Sequence, residues 1–171
     1  MRPSDWHLKC ATQALAQGGV IAYPTEAVWG LGCDPWDAQA VDRLLKLKQR
    51  PMYKGLILVA SQWGQFQPLV EELSAQQIDQ LRATWPGPTT WLIPDPNDWI
   101  PPWIKGQHQS VALRVSAHPL VAALCDRFNG PIVSTSANTA GRNPARSRIH
   151  ISRNFGGRLD YVLNGELGQN K

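Results

Sequence analysis

The chain has 171 residues, 43% hydrophobic and 18% charged, which is the balance of a globular protein with a sizeable core and excludes a disordered chain. Lys and Arg number 17 against 13 Asp and Glu, a net charge of +4 that admits an anionic partner without demonstrating one. No apolar run approaches the roughly 20 residues needed to span a bilayer, and Asp5 and His7 interrupt any leader-like stretch. Cys10, Cys33 and Cys125 form no CxxC pair and no even disulfide set, so a reducing, cytoplasmic setting is expected.

Ser4 is placed to cap a helix over about residues 5–17, which Gly18-Gly19 stops. Val20–Tyr23 reads as a buried strand ended by Pro24, and residues 25–34, with Gly30 and Gly32, read as a loop. Asp37 caps a second helix through Ala40, Val41, Leu44, Leu45 and Leu47 that ends before Pro51. Residues 55–60 form the next strand, followed by polar helices near 62–70 and, capped by Ser74, near 75–83. Trp85-Pro86-Gly87-Pro88 is a rigid turn before a strand over 89–93, and 95–102 is a Pro/Asp/Asn loop suited to a hinge or lid. Val111–Val115 alternates as a strand, 118–128 as a helix and 131–133 as a strand. A polar loop over 134–144, a helix over 146–155 and a strand over 159–163 complete the chain. Helices and strands alternate without a strict βαβ rhythm, which predicts a single α/β domain over residues 1–171 with a sheet of mixed strand directions.

Several chemistries are excluded by the residue inventory. There is no GxxxxGK[ST] phosphate loop, Gly30-Leu31-Gly32 lacks the third glycine of a dinucleotide fingerprint, and no GxSxG elbow occurs. His7, His108, His118 and His150 show no zinc-ligand spacing, so no dedicated metal site is expected.

Cations and hydroxyls at strand and helix ends remain. Lys46, Lys48 and Arg50 close the second helix and Lys54 precedes a buried strand. They either complement the helix dipole in water or, where Pro51 turns the chain, converge on a polyphosphate. Ser134-Thr135-Ser136-Ala137-Asn138 leaves a strand either as a self-satisfied ST or Asx turn or as a ligand cradle. Arg114, in a half-buried strand, is either half of a structural ion pair or a fork for a substrate carboxylate, because an unpaired buried charge is costly. Thr25 is a candidate ligand donor, and Glu26 either pairs with a lysine, helps hold a metal or, more simply, is part of a plain loop.

Taken in order, Tyr23-Pro24-Thr25-Glu26, Gly30-Leu31-Gly32, Lys48-Gln49-Arg50-Pro51, Trp85-Pro86-Gly87-Pro88-Thr89, Val111–Val115 and Ser134–Asn138 resemble the YrdC/TsaC family over residues 10–166. The resemblance implies a YrdC-like twisted, open, mixed α/β sheet with flanking helices and a large concave basic surface. It also implies a threonylcarbamoyl-AMP synthase in its short single-domain form, a nucleotidyltransferase that joins L-threonine, bicarbonate and ATP and releases pyrophosphate. Partner proteins of the threonylcarbamoyl transfer complex would then pass the group to tRNA, as threonylcarbamoyladenosine. By the same resemblance Lys48 and Arg50 act electrostatically on ATP phosphates and the forming carbamate. Lys54, Ser110, Ser136 and Asn138 join them in binding ATP, and Thr25, Arg114 and Ser134 bind L-threonine. Mg²⁺ is implied with the ATP, without a dedicated carboxylate cage. The family continues past Gly165-Glu166-Leu167-Gly168 with a PSxI-type segment and a covering basic residue, so a missing C-terminal tail is expected, with Lys171 as a partial substitute.

The competing class is an RNA-binding module without catalysis, drawn from the net charge, the arginines at 142, 146, 148 and 153, and the tryptophans. It would bind structured RNA or tRNA with steep salt dependence and indifference to threonine.

Overall fold

The computed structural model describes residues 4–168. Helix α1 (Asp5–Ala16) starts at Ser4, whose hydroxyl accepts from the His7 amide, and leads into β1 (Ile21–Pro24) and β2 (Trp29–Gly32). Asp37 caps α2 (Ala38–Lys48) by accepting from the Gln39 and Ala40 amides, and Gln49 ends it at φ 51°. Then come β3 (Ile57–Ala60), the single turn α3 (Gln67–Val70), α4 (Ala75–Thr84) with a Ser74–Gln77 capping box, β4 (Trp91–Pro94) and α5 (Pro102–Lys105). Strand β5 (Ser110–Val115), α6 (Pro119–Phe128), β6 (Ile132–Ser136), α7 (Arg148–Phe155) and β7 (Tyr161–Val162) complete the order.

The seven strands form one sheet in the order β4-β5-β3-β6-β2-β1-β7. β3–β5 and β1–β7 are parallel, and the remaining pairs are antiparallel, so the expected mixed α/β sheet is present. One face, with Ala22, Leu31, Leu58, Leu113 and Val133, packs on Leu44 and Leu45 of α2 and Phe155 of α7. The other face, with Ile21, Tyr23, Val59 and Ile132, packs on Leu15 of α1 and Leu124 of α6. Each such Leu or Phe contributes about 1.5–3 kcal/mol on burial.

Three expectations are corrected. Residues 25–34 are not all loop: β2 runs through both glycines. A Cβ at Gly32 would come within 2.6 Å of the Val133 carbonyl and 2.8 Å of the Tyr23 ring, so glycine allows the close approach. The segment after Pro131 remains a strand to Ser136, because Ser134 pairs with Ile57 and Ser136 with Gly30. Residues 95–102 are pinned and do not form a hinge. The buried Asp95 carboxylate accepts from the Trp99 and Ile100 amides at 2.9 Å and lies 3.0 Å from the buried Lys105 ammonium. Burial raises the Asp95 pKa, but the Ile100 amide and Lys105 outweigh it and hold the carboxyl below its ordinary value.

Candidate active site

The site lies on the α1/α6 face, beyond the area those helices cover. Strand β5 shows why: Val111, Leu113 and Val115 are buried beneath the sheet, while Ser110, Ala112 and Arg114 are half-exposed on the other face. Ladder register sets Ala112, Ile57 and Ser134 on one rung and Arg114, Val59 and Ile132 on the next. A further rung joins Tyr23, Gly30 and Ser136. Gly30, on β2 beyond β6, contributes no side chain of its own, and a Cβ there would come within 3.1 Å of the Thr25 methyl. The result is a cavity of about 470 Å³ lined by Thr25, Glu26, Arg50, Arg114, Ser134 and Ser136 among others. A second cavity of about 250 Å³, lined by Lys54 and Ser110, shares Arg50, Leu56 and Ile57 with the first. Thr25, Arg50, Arg114, Ser134, Ser136, Lys54 and Ser110 are therefore gathered along one cleft.

Lys48 and Asn138 stand behind the lining. Lys48 is buried, and its ammonium donates to the carbonyls of Ser136 and Asn138, the latter at 2.9 Å, and to Asn138 Oδ1 at 3.4 Å. Asn138 Nδ2 in turn donates to the Thr139 and Arg142 carbonyls, and Ser136 Oγ donates to Asn138 Oδ1 at 2.6 Å. The end of α2 is thus fastened to the loop after β6. Burial, followed by the charge of Arg50, lowers the Lys48 pKa from 10.5 to about 8. Arg50 secures its own turn: Nε and Nη2 donate to the Gly55 carbonyl at 3.2 and 2.9 Å, and Nη2 also reaches the Lys54 carbonyl at 3.3 Å. Lys46 is exposed and paired with Asp42, in keeping with the solvated alternative read from sequence.

Arg114 contrasts with both. Its Nε is buried without a hydrogen-bond partner, and Nη2 lies 3.9 Å from Glu26 Oε2, an ion pair too long to be a hydrogen bond. Thr25 is buried and its hydroxyl donates to the Val28 carbonyl at 2.7 Å, which leaves its oxygen to accept rather than donate. Tyr23, under the floor, donates to the Val133 carbonyl at 3.4 Å, and its burial pushes the phenol pKa up.

Two residues of this site were missed from sequence. Glu26, read most simply as plain loop, is a buried carboxylate in the cavity wall. Ser116, not singled out at all, donates to Glu26 Oε1 at 2.5 Å. The available signal was Ser116-Ala117-His118-Pro119, a polar residue poised before a proline-initiated helix. Among the described residues no group of three or more His, Cys, Asp or Glu side chains could hold a metal ion. Lys171 lies outside the described residues.

An open mixed sheet with a guanidinium-bearing cleft at its strand ends defines a ligand-binding α/β protein. The chain belongs to the Sua5/YciO/YrdC family, whose model carries the description "Telomere recombination" and matches residues 13–171. It is 56% identical over 164 residues to the threonylcarbamoyl-AMP synthase of Stutzerimonas stutzeri, covering 96% of this chain and 88% of that protein. The structure is similar to a P. abyssi Sua5 solved in complex with L-threonine, at a TM-score of 0.89 and 30% identity. That match covers 98% of this chain, which spans about half (49%) of the Sua5 chain. E. coli YciO shares the fold, with a TM-score of 0.85 at 21% identity over 98% of this chain and 84% of YciO.

Proposed function

We propose that this chain is a threonylcarbamoyl-AMP synthase: it converts L-threonine, bicarbonate and ATP into threonylcarbamoyl-adenylate and pyrophosphate. The observation that carries the reading is Arg114, a cleft-facing guanidinium whose hydrogen-bonding donors are left open beside a second cation, Arg50. Such a fork suits a carboxylate. The names of relatives more than half identical to this chain supply the reaction.

The reaction brings a zwitterion, an anion and a polyanion together, so positioning and electrostatic stabilisation supply the catalysis and no covalent nucleophile is required. Arg114 takes the threonine carboxylate, with Thr25 as an acceptor and Ser134 as a donor in the same pocket. The threonine amine attacks the bicarbonate carbon, water departs, and the resulting carbamate oxygen attacks the α-phosphorus as pyrophosphate leaves. Arg50, Lys54 and Ser110 meet the nucleotide along the adjoining cavity. Lys48 and Asn138 hold Ser136 and the following loop against it, and Lys48 adds charge from behind. The described residues offer no carboxylate cage for Mg²⁺, because Glu26 is already engaged by Ser116 and Arg114. A divalent ion would arrive on the ATP phosphates, and no step here depends on it.

The product would pass to partner proteins that modify tRNA in the cytoplasm, a setting that suits three unpaired cysteines. Among the described residues no helix is long and apolar enough to cross a membrane. RNA binding without catalysis would draw on the exposed Trp6, Trp36, Trp63 and Trp99, but the names of highly similar relatives describe a synthase. The deciding experiment measures pyrophosphate release with each substrate omitted in turn. Release that requires threonine, bicarbonate and ATP together is expected; release from ATP alone, or none with all three, overturns the reading.

A further inference from the structure

Arg114 and Glu26 are opposite charges in one cavity wall, yet their closest nitrogen and oxygen stand 3.9 Å apart. Two such groups left to themselves close to about 2.8 Å and form two parallel bonds. The neighbouring hydroxyl supplies the reason they do not. Ser116 is fixed by its backbone, since its amide donates to the Ala60 carbonyl at 3.0 Å. Its Oγ accepts from the His118 amide at 3.1 Å, at the start of α6. With that lone pair engaged, the hydroxyl proton is directed at Glu26 Oε1, 2.5 Å away, a charge-assisted bond at the short end of its range. Ser116 is 2% exposed and Glu26 8%, so water does not compete for this bond.

We infer that Ser116 is a positioning residue that tethers the Glu26 carboxylate away from Arg114, keeping the guanidinium fork open for the carboxylate of an α-amino acid. Glu26 offsets the half-buried positive charge from a distance without occupying its donors. The incoming carboxylate then finds an open fork and has no hydrogen-bonded internal partner to displace. This rests on the reading that Arg114 receives the substrate carboxylate.

Calorimetric titration of L-threonine into the full chain tests both. S116A should weaken threonine binding about tenfold, because Glu26 swings onto Arg114, while ATP affinity stays within about twofold. In the E26Q background the same S116A change should shift threonine affinity by less than about twofold, since no carboxylate remains to compete. S116C, which keeps a near-isosteric but weaker donor, should fall between wild type and S116A and serves if S116A unfolds. Equal losses from S116A in both backgrounds, or no loss in either, overturn the tether while leaving the Arg114 reading intact. Threonine binding in R114A equal to wild type overturns the Arg114 reading and the tether with it.

Discussion

Two cations, Lys48 behind the wall of the cleft and Arg114 in it, have opposite surroundings. Lys48 sits among three oxygens and is committed to holding the loop after β6. Arg114 has a partnerless Nε and a long, loose ion pair. A buried charge with every donor occupied builds structure, whereas one left open is costly to the fold and is worth keeping only where something else completes it. The same residue class is therefore a bolt at one place and, on the function proposed above, a receptor at the other.

Mutation should separate the two cations. Lys48→Ala leaves the Ser136 and Asn138 carbonyls without their donor, so pyrophosphate release should fall at least about 100-fold and the melting temperature should drop by the equivalent of about 2–3 kcal/mol. Loss of activity with no change in melting would mean that Lys48 acts on substrate alone. Arg114→Ala should raise the threonine KM roughly 30- to 100-fold while the ATP KM moves less than about threefold and melting holds. Equal movement of both constants would remove the distinction drawn between the two cations.

Acidity sharpens the contrast. Between about pH 8 and 10.5 the folded Lys48 binds fewer protons than the unfolded one. Its titration therefore adds stability as pH rises through that window, while the charge itself is lost. The rate should thus decline above about pH 8 while the Lys48 contribution to melting rises, and Lys48→Arg should move the alkaline limb upward if the variant folds. The smallest effect on turnover is expected from Asp95→Ala. It leaves the Lys105 ammonium with Asp98 alone and should cost about 3 kcal/mol of stability, read by denaturant unfolding, with both KM values unchanged.

Much of this was legible in the sequence because it is local. Ser4, Asp37 and Ser74 cap helices where their spacing says they should, and the alternation in β5 assigns Arg114 to the half-open face. β2 was not legible, because a strand carrying Gly30 and Gly32 has little propensity of its own and exists through pairing on both edges. Lys48 and Arg50 stood out by their spacing, but their hydrogen bonds run mainly to carbonyls, which no sequence pattern marks. The Ser116–Glu26 contact spans 90 positions between two loops, so only the assembled sheet brings it into being.

The position of β6 has a consequence for how the molecule is made. It is the sixth strand to be synthesised, yet it lies at the centre of the sheet as the sole ladder between β2 and β3 among the described strands. Until residue 136 has left the ribosome, the β1–β2 pair and the β3–β4–β5 group share no hydrogen-bonded edge. Because the cleft straddles that seam, a nascent chain has nothing with which to grip a ligand until β6 has been made.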